Sequence, residues 1–415
     1  MPQKKKILVV VGAGASIELG MPSVKCINIL FSKWAQIGYP LASNEYGNLY
    51  SFFVREIERY KKNHLEKHLR SATNFEEVLY VLYLLPAVFL NGIFTSPIGA
   101  FLSGRKLPDI RCFGHHRATE TQVLNNLASD LTKSLLFEFR KRCQNVKTDD
   151  KYKNQLIQWN GFLSQLDNDF ELAIVNLNYD DLVYQALRPI NTGFASDTGL
   201  FKPETIFYRK IWRCLLHLHG SVHFDFWERN NWLHDLSKGP DLEALKARGR
   251  SSRHTKEGLI FPGSEIVLGY GKLSQLQPEP FRTYHAELGR LVHECEGVLF
   301  LGYGFQDDHL NSAFSGFHHN GRRPVVIIDK AKRDTMTVRS SYDILPALKA
   351  PTFPFSIDPH SMKWLNYSFP TKVEKLNEID EFESSTDPNT PLSIWYGGMQ
   401  KACFNYQKIV NILRQ

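Results

Sequence analysis

The chain has 415 residues, of which 43% are hydrophobic and 22% are charged, and its formal net charge is +7. This composition is typical of an ordered globular protein and excludes a disordered or fibrous one, and the length allows two or three domains or one enlarged domain. The net charge is small for this length. The compact basic run of the chain, Lys4 to Lys6, is typical of a solvated terminus, so direct nucleic-acid binding is not predicted.

The cysteines and the longest uncharged segment predict a protein without disulfides or membrane spans. The six cysteines include no C-x-x-C pair, so neither a zinc ribbon nor a disulfide framework is indicated. Val78 to Gly104 contains no charged residue, but its continuous apolar part ends at Leu90 and falls short of the roughly 20 residues that a span needs. We expect a buried helix there. Since no signal-peptide pattern precedes the first strand, we expect a cytoplasmic protein.

Apolar runs alternate with helical stretches along the chain. This alternation predicts an α/β fold with a mostly parallel sheet covered on both faces. A helix is predicted to begin at Asn74, and another to span Arg117 to Gln144. The predicted strands are Ile7–Val11, Leu172–Val175, Ile211–Leu218, Val298–Leu301 and Val325–Ile328.

The segments outside these strands predict the domain organisation. Residues 1–335 are expected to form one nucleotide-binding domain, with a large helical insertion at about 24–168. The charged stretch Trp227 to Lys256 indicates a surface excursion. The Pro-punctuated residues 336–415 are predicted to form a C-terminal appendage that ends in a helix near Ile394 to Leu413.

The first strand ends in a turn, Gly12-Ala13-Gly14-Ala15-Ser16, that leads into a helix. Such a turn favours an anion, because free backbone N–H groups converge at a helix N-terminus. The dinucleotide fingerprint G-x-G-x-x-G is incomplete here, since Ile17 takes the place of its third glycine, and no phosphate-loop Gly-Lys-Ser/Thr follows. The turn therefore predicts a nucleotide without either common motif.

Polar or glycine residues follow each of the other predicted strands. Each alone has a structural explanation: Asn178 and Asp180 can cap a helix, His219 can sit in a turn, and Asp329 can end a strand. Gly302-x-Gly304 can mark a tight strand-to-helix turn. Because parallel strands place their ligands at their carboxyl ends, the combination predicts one shared cleft.

The stretches "LNYDD", "LHGS" and "GYGFQDDHLN" make the chain resemble the sirtuin family. In detail it is most similar to the sirtuin-like domains of bacterial anti-phage defence proteins. The resemblance runs in patches from Ile7 to Asp329, leaves the insertion and the tail unexplained, and implies a Rossmann-like fold.

The resemblance also implies roles for individual positions. Asn178 and Asp180 would face the nicotinamide ribose of NAD+, and His219 would be the catalytic histidine. An amide can orient a water or a ribose hydroxyl, and a histidine can take its proton. The cofactor-binding positions would be Gly12, Ala13, Gly14 and Ser16 at the phosphates, and Gly302, Gly304, Phe305 and Asp329 at the adenosine half.

The chain departs from the sirtuin deacylases, which carry a four-cysteine zinc module. We therefore expect an NAD+ hydrolase that uses water as acceptor and binds no zinc or other metal. His217 and His223 flank His219 at strand spacing, but a metal site formed from them is disfavoured because a third ligand is lacking. The alternatives are a non-catalytic NAD or ADP-ribose sensor that signals to a partner, and, less favoured, a deacylase or an ADP-ribosyl transferase.

One apolar stripe and the family resemblance bear on the partners of the chain. The apolar stripe Leu124, Leu127, Leu131 and Leu135 lies at helical spacing and can pack in the chain's own core or against a second copy. We expect a homo-oligomer. The family resemblance further suggests a HerA-type ATPase as a defence partner.

Overall fold

The chain divides into two compact units. Unit 1 comprises Met1–Met21, Arg142–Ser221 and Glu279–Gln415, and unit 2 comprises Pro22–Lys141 and Val222–Pro278. The computed structural model describes residues 4–41, 47–65, 72–89, 120–227, 231–234, 252–254, 260–262, 266–268, 276–305, 307–314, 317, 322–331 and 376–415.

Unit 1 is built on a seven-stranded sheet, with strands numbered in chain order. The strands are β1 (Lys6–Val11), β2 (Glu171–Asn176), β3 (Cys214–His217), β8 (Gly297–Leu301), β9 (Val325–Ile328), β10 (Glu383–Ser384) and β11 (Leu392–Trp395). Their order across the sheet is β10-β11-β9-β8-β1-β2-β3. Every neighbouring pair is parallel except β10 and β11. The predicted α/β class is confirmed.

The central strand β1 shows why these apolar runs become sheet. Ile7 to Val11 are completely buried, as expected where both faces of a parallel sheet are covered. Val9 lies in register with Ile174 of β2 and Leu299 of β8, so that β1 pairs on both sides. The carboxyl ends of β8, β1, β2 and β3 thus lie side by side.

The helices of unit 1 are short, except for Asp150–Asp169 and Phe281–Glu294. They are α1 (Ala13–Ile17), α6 (Asp150–Asp169), α7 (Leu182–Leu187), α8 (Pro203–Phe207), α9 (Phe281–Glu294), α10 (Asp308–Ala313), α11 (Met399–Phe404) and α12 (Tyr406–Arg414). Glu287 of α9 is 1% exposed and forms an ion pair with the buried guanidinium of Arg209 and a second one with Arg290.

Unit 2 is mainly helical. It contains α2 (Val24–Gly38), α3 (Leu49–His64), α4 (Phe75–Phe89), most of α5 (Glu120–Asn145) and the two hairpins β4 (Phe224–Trp227) with β5 (Asn231–His234) and β6 (Ser252–His254) with β7 (Ile260–Pro262). The helix predicted after Asn74 begins there: Asn74 Oδ1 accepts from the Glu77 N–H at 2.9 Å, and Glu77 Oε2 accepts from the Asn74 N–H at 2.9 Å. This reciprocal pair satisfies two otherwise unpaired donors.

The apolar stripe on α5 is covered by the chain itself. Its four leucines are at most 1% exposed. Their burial therefore needs no second copy, and the stripe gives no support to an oligomer.

The predicted C-terminal appendage contributes to the main sheet. Leu392–Trp395 is the strand β11, so the helix predicted from Ile394 is wrong at its start; helix α11 begins only at Met399. Residues 336–375 of the appendage and most of the predicted excursion after Trp227 lie outside the described residues. Among the helices of the described part, none combines the length and the apolar character that a membrane crossing requires.

Candidate functional site

The glycines that follow β1 and β8 bring two turns into backbone contact. Gly12 N–H donates to Leu301 O at 2.9 Å, and Gly14 N–H donates to Gly302 O at 2.9 Å. Gly302 has a φ of +58°, and a Cβ atom on it would lie 2.1 Å from the amide nitrogen of Ala15. These glycines permit a close approach that no other residue allows.

The same contacts limit what the first turn can offer an anion. The N–H groups of Gly12 and Gly14 are already used within the protein, so they are not the free donors that the sequence suggests. Ser16 is 2% exposed, and its hydroxyl oxygen accepts a hydrogen bond from Asn178.

Asn178, after β2, is tied to this turn by both hydrogens of its amide. Its Nδ2 donates to Gly12 O at 2.9 Å and to Ser16 Oγ at 3.0 Å. A carbonyl can only accept, so the amide nitrogen must face Gly12, and Oδ1 is left as the atom that can accept from a ligand. The Asn178 N–H in turn donates to Asn176 Oδ1 at 3.1 Å, which fixes the backbone.

Asp180 completes this polar cluster beneath the turn. It is 1% exposed, and burial raises the pKa of its carboxyl to about 6, although the Ser16 hydroxyl and the Leu182 N–H stabilise the charged form by hydrogen bonding. Its Oδ1 accepts from Leu182 N–H at 3.2 Å. Its Oδ2 is buried without a partner among the described residues. Asn178 therefore donates to the Ser16 hydroxyl, and the Ser16 hydroxyl donates to the Asp180 carboxyl.

His219, in the turn after β3, lies in a different set of side chains. It is 3% exposed, with its Nε2 3.5 Å from Nε2 of His309 and 4.0 Å from Oδ1 of Asp307. The ring of His285 on α9 lies beside His309, with centroids 5.4 Å apart. Burial, helped by the charge of His309, lowers the pKa of His285 to about 4.

These partners of His219 come from across the sheet. Strands lie about 4.8 Å apart, so the ends of β3 and β8, three positions apart, are separated by about 14 Å. Asp307 and His309, which follow β8 in the chain, nevertheless lie beside His219. The sequence interpretation missed all three of Asp307, His309 and His285; the only available signal was the D-x-H spacing in "GYGFQDDHLN".

The remaining predicted positions lie on the β8 and β9 side. Phe305 has a φ of +52° and is completely buried, its ring 5.0 Å from that of Phe300, so it can offer a ligand only its backbone. Gly304 is exposed, and Ala13 opens α1. Asp329 follows β9 and accepts from the Lys330 N–H at 2.7 Å. Four strand spacings place it about 19 Å from the end of β3.

The described cysteines are not grouped as ligands of one metal ion: within the described residues, no cysteine belongs to a cluster of three or more side chains close enough to share an ion. Burial raises the pKa of Cys143 well above its usual value and that of Cys214, Cys295 and Cys403 to about 12. Cys112 lies outside the described residues.

Comparison with known families matches part of the chain. Residues 172–346, less than half of it, match the model of the SIR2-like domain. This stretch includes Asn178, His219 and Gly302 and excludes the turn after β1. Comparison with curated proteins gives no match.

Solved structures that resemble the chain are distant. One, titled "Crystal structure of a SIR2 homolog-NAD complex", is 12% identical, with 99% of this chain and 90% of that chain covered and a TM-score of 0.37. Another, titled "Structural Basis for the Mechanism and Regulation of Sir2 Enzymes", is 14% identical, with 79% and 82% covered and a TM-score of 0.32. What the family model shows is that residues 172–346 are similar to the SIR2-like domain.

Proposed function

We propose that this protein hydrolyses NAD+ to nicotinamide and ADP-ribose. The observation that carries the proposal is the pair formed by Asn178 and His219 at the ends of neighbouring parallel strands. One presents an amide oxygen whose orientation is fixed by Gly12 and Ser16, and the other presents an imidazole. The similarity of residues 172–346 to SIR2-like domains supports NAD+ as the substrate.

The proposed reaction breaks the bond between nicotinamide and the ribose carbon. Positive charge develops on the ribose, so fixing the ring and excluding stray water lower the barrier. Asn178 Oδ1 accepts from a ribose hydroxyl or from the attacking water. His219 takes the proton that the water loses as its oxygen bonds to the ribose carbon, and the electron pair of the broken bond leaves with nicotinamide.

The rest of the site suits an elongated ligand. The carboxyl edge from β3 to β9 spans about 19 Å, with the glycine contact between β1 and β8 in its middle. Following the family resemblance, we place the phosphates at Gly12, Ala13, Gly14 and Ser16, and the adenosine half between Gly304 and Asp329.

Nicotinamide release from NAD+ by the purified protein tests this proposal. His219→Ala and Asn178→Ala should each reduce the rate by a factor of about 10² to 10⁴, the usual contribution of one acid–base group. His293→Ala, which removes an exposed histidine from α9, is the matched control and should leave the rate unchanged. Near-normal turnover in His219→Ala would contradict the assignment.

The same assay separates the other candidate activities. Tight NAD+ binding without nicotinamide release would indicate a sensor module. Release that depends on added acetylated peptide would indicate a deacylase.

We further propose that the enzyme acts in the cytoplasm as a homo-oligomer in anti-phage defence, with a HerA-type ATPase as partner. The sequence resemblance supports the defence role and the partner. Light scattering at micromolar concentration tests assembly, and co-purification with such an ATPase tests the partner. A monomer that is fully active alone would contradict control by assembly.

A further inference from the structure

The group formed by His219, Asp307 and His309 has the chemistry and spacing of metal ligands. Each residue offers one ligand atom, and these atoms all lie within 4.8 Å of one another. The group joins two separate parts of unit 1, the turn after β3 and the segment after β8. In the described part of the chain it is the one group of three or more metal-ligating side chains.

The distance between the two imidazole nitrogens fits a tetrahedral ion better than a hydrogen bond. Zinc binds imidazole nitrogen at about 2.0–2.1 Å, so two ligands of a tetrahedral ion lie about 3.3–3.4 Å apart. The two Nε2 atoms of His219 and His309 are 3.5 Å apart, longer than the usual 2.7–3.2 Å for a hydrogen bond. Nε2 of His219 and Oδ1 of Asp307 are 4.0 Å apart, so these two atoms would have to move closer to bind one ion.

The surroundings also favour an ion. His219 is 3% exposed, so an ion bound to it would be shielded from water. Asp307 immediately precedes α10, yet its side chain does not cap that helix, and its carboxylate lies toward His219 instead. That carboxylate would offset part of the charge of a divalent ion.

A further nitrogen stands next to this group. His285 Nε2 is buried without a hydrogen-bond partner among the described residues, and its ring lies beside that of His309. A buried imidazole nitrogen of this kind can act as a fourth ligand or accept from a metal-bound water.

We propose that His219, Asp307 and His309 bind one divalent transition-metal ion of the zinc class. Two imidazoles and one carboxylate are a set that zinc and cobalt accept, and three protein ligands leave a position for water or for His285. The site differs from the four-cysteine module of the deacylases in every ligand. The proposal therefore departs from the expectation, made from the cysteines and from the histidines around His219, that the protein binds no zinc or other metal.

The proposal has a consequence that rests on the proposed function. A metal on Nε2 of His219 occupies the lone pair that a general base needs. Zinc should therefore inhibit nicotinamide release, and a chelator should restore it.

Cobalt(II) titration of the untagged full chain tests metal binding without relying on activity. We expect one cobalt per chain, the visible absorption of a tetrahedral ion and no thiolate charge-transfer band. Asp307→Asn and His309→Ala should each weaken cobalt binding more than about 10-fold. Replacing a residue that only hydrogen-bonds to a metal ligand already lowers metal affinity by about 10-fold or more. His293→Ala should bind as the wild type does. Circular dichroism establishes that each variant is folded.

Three results would overturn the proposal. They are the absence of a visible band in the wild type, a band dominated by thiolate, and binding that is unchanged in Asp307→Asn. The last variant keeps the shape of the side chain, so it remains informative if His309→Ala fails to fold. Because none of these measurements uses NAD+, a protein that binds cobalt but releases no nicotinamide would refute the proposed function alone.

Discussion

Replacing Asp180 by asparagine should change how the stability of the protein depends on pH. The Asp180 carboxyl is buried, and its pKa is raised from 3.8 to about 6 by desolvation. A raised pKa means that the folded state holds this proton at pH values where the unfolded chain has lost it. The stability contributed by the protonated form is complete below the unfolded value of 3.8 and is lost as pH rises through about 6.

The magnitude follows from the size of the shift. A difference of about 2 pH units corresponds to about 3 kcal/mol, at about 1.4 kcal/mol for each unit. About 2 kcal/mol of this falls between about pH 4.5 and about pH 7.5, a range suited to urea unfolding. Asparagine does not titrate, and its Oδ1 can still accept from the Leu182 N–H, so the variant should lack this loss.

The assay is urea unfolding of wild type and Asp180→Asn, followed by tryptophan fluorescence. The free energy of unfolding of the wild type, minus that of the variant, should fall by about 2 kcal/mol between about pH 4.5 and about pH 7.5. Asp197→Asn makes the same chemical change at an exposed position and serves as the control. A difference that stays constant with pH would refute the raised pKa of Asp180.

Three further substitutions test single contacts, two of them within unit 1 and one within unit 2. Gly302→Ala should lower the free energy of unfolding by more than about 2 kcal/mol and weaken NAD+ binding, because its Cβ would meet the Ala15 nitrogen; urea unfolding and calorimetric titration check this. Glu287→Gln should cost about 3–5 kcal/mol by leaving the buried charge of Arg209 without its partner, whereas wild-type stability would contradict the buried pair. Asn74→Ala should cost about 1 kcal/mol through loss of the helix cap, and thermal unfolding measures it.

The sheet was largely predictable because its central strands are continuous apolar runs. Ile7–Val11 and Val298–Leu301 are buried on both faces, so their composition alone identifies them. The run Leu392–Trp395 was missed, because it is short, contains Ser393 and lies beyond a Pro-rich stretch. Its identity as a strand depends on pairing with Val325–Ile328, a contact that no local pattern records.

The site was predictable only in part, for a similar reason. Asn178 and His219 directly follow strands, and strand ends can be located from the sequence. Asp307 and His309 lie beside His219 in the folded protein, and this proximity depends on the strand order, which no local pattern of the sequence records. The turn after β1 also differs from its prediction, since the N–H groups of Gly12 and Gly14 bond to the β8 turn instead of remaining free.

The position of β11 has a consequence for synthesis of the chain. Strand β9 pairs with β8 on one side and with β11 on the other, and β11 is made more than 60 residues later. Until then, the growing chain carries an apolar strand edge, Val325–Ile328, with unpaired backbone groups. Fragments that end before Leu392 should therefore aggregate, and chaperone binding to nascent chains should fall once β11 has left the ribosome.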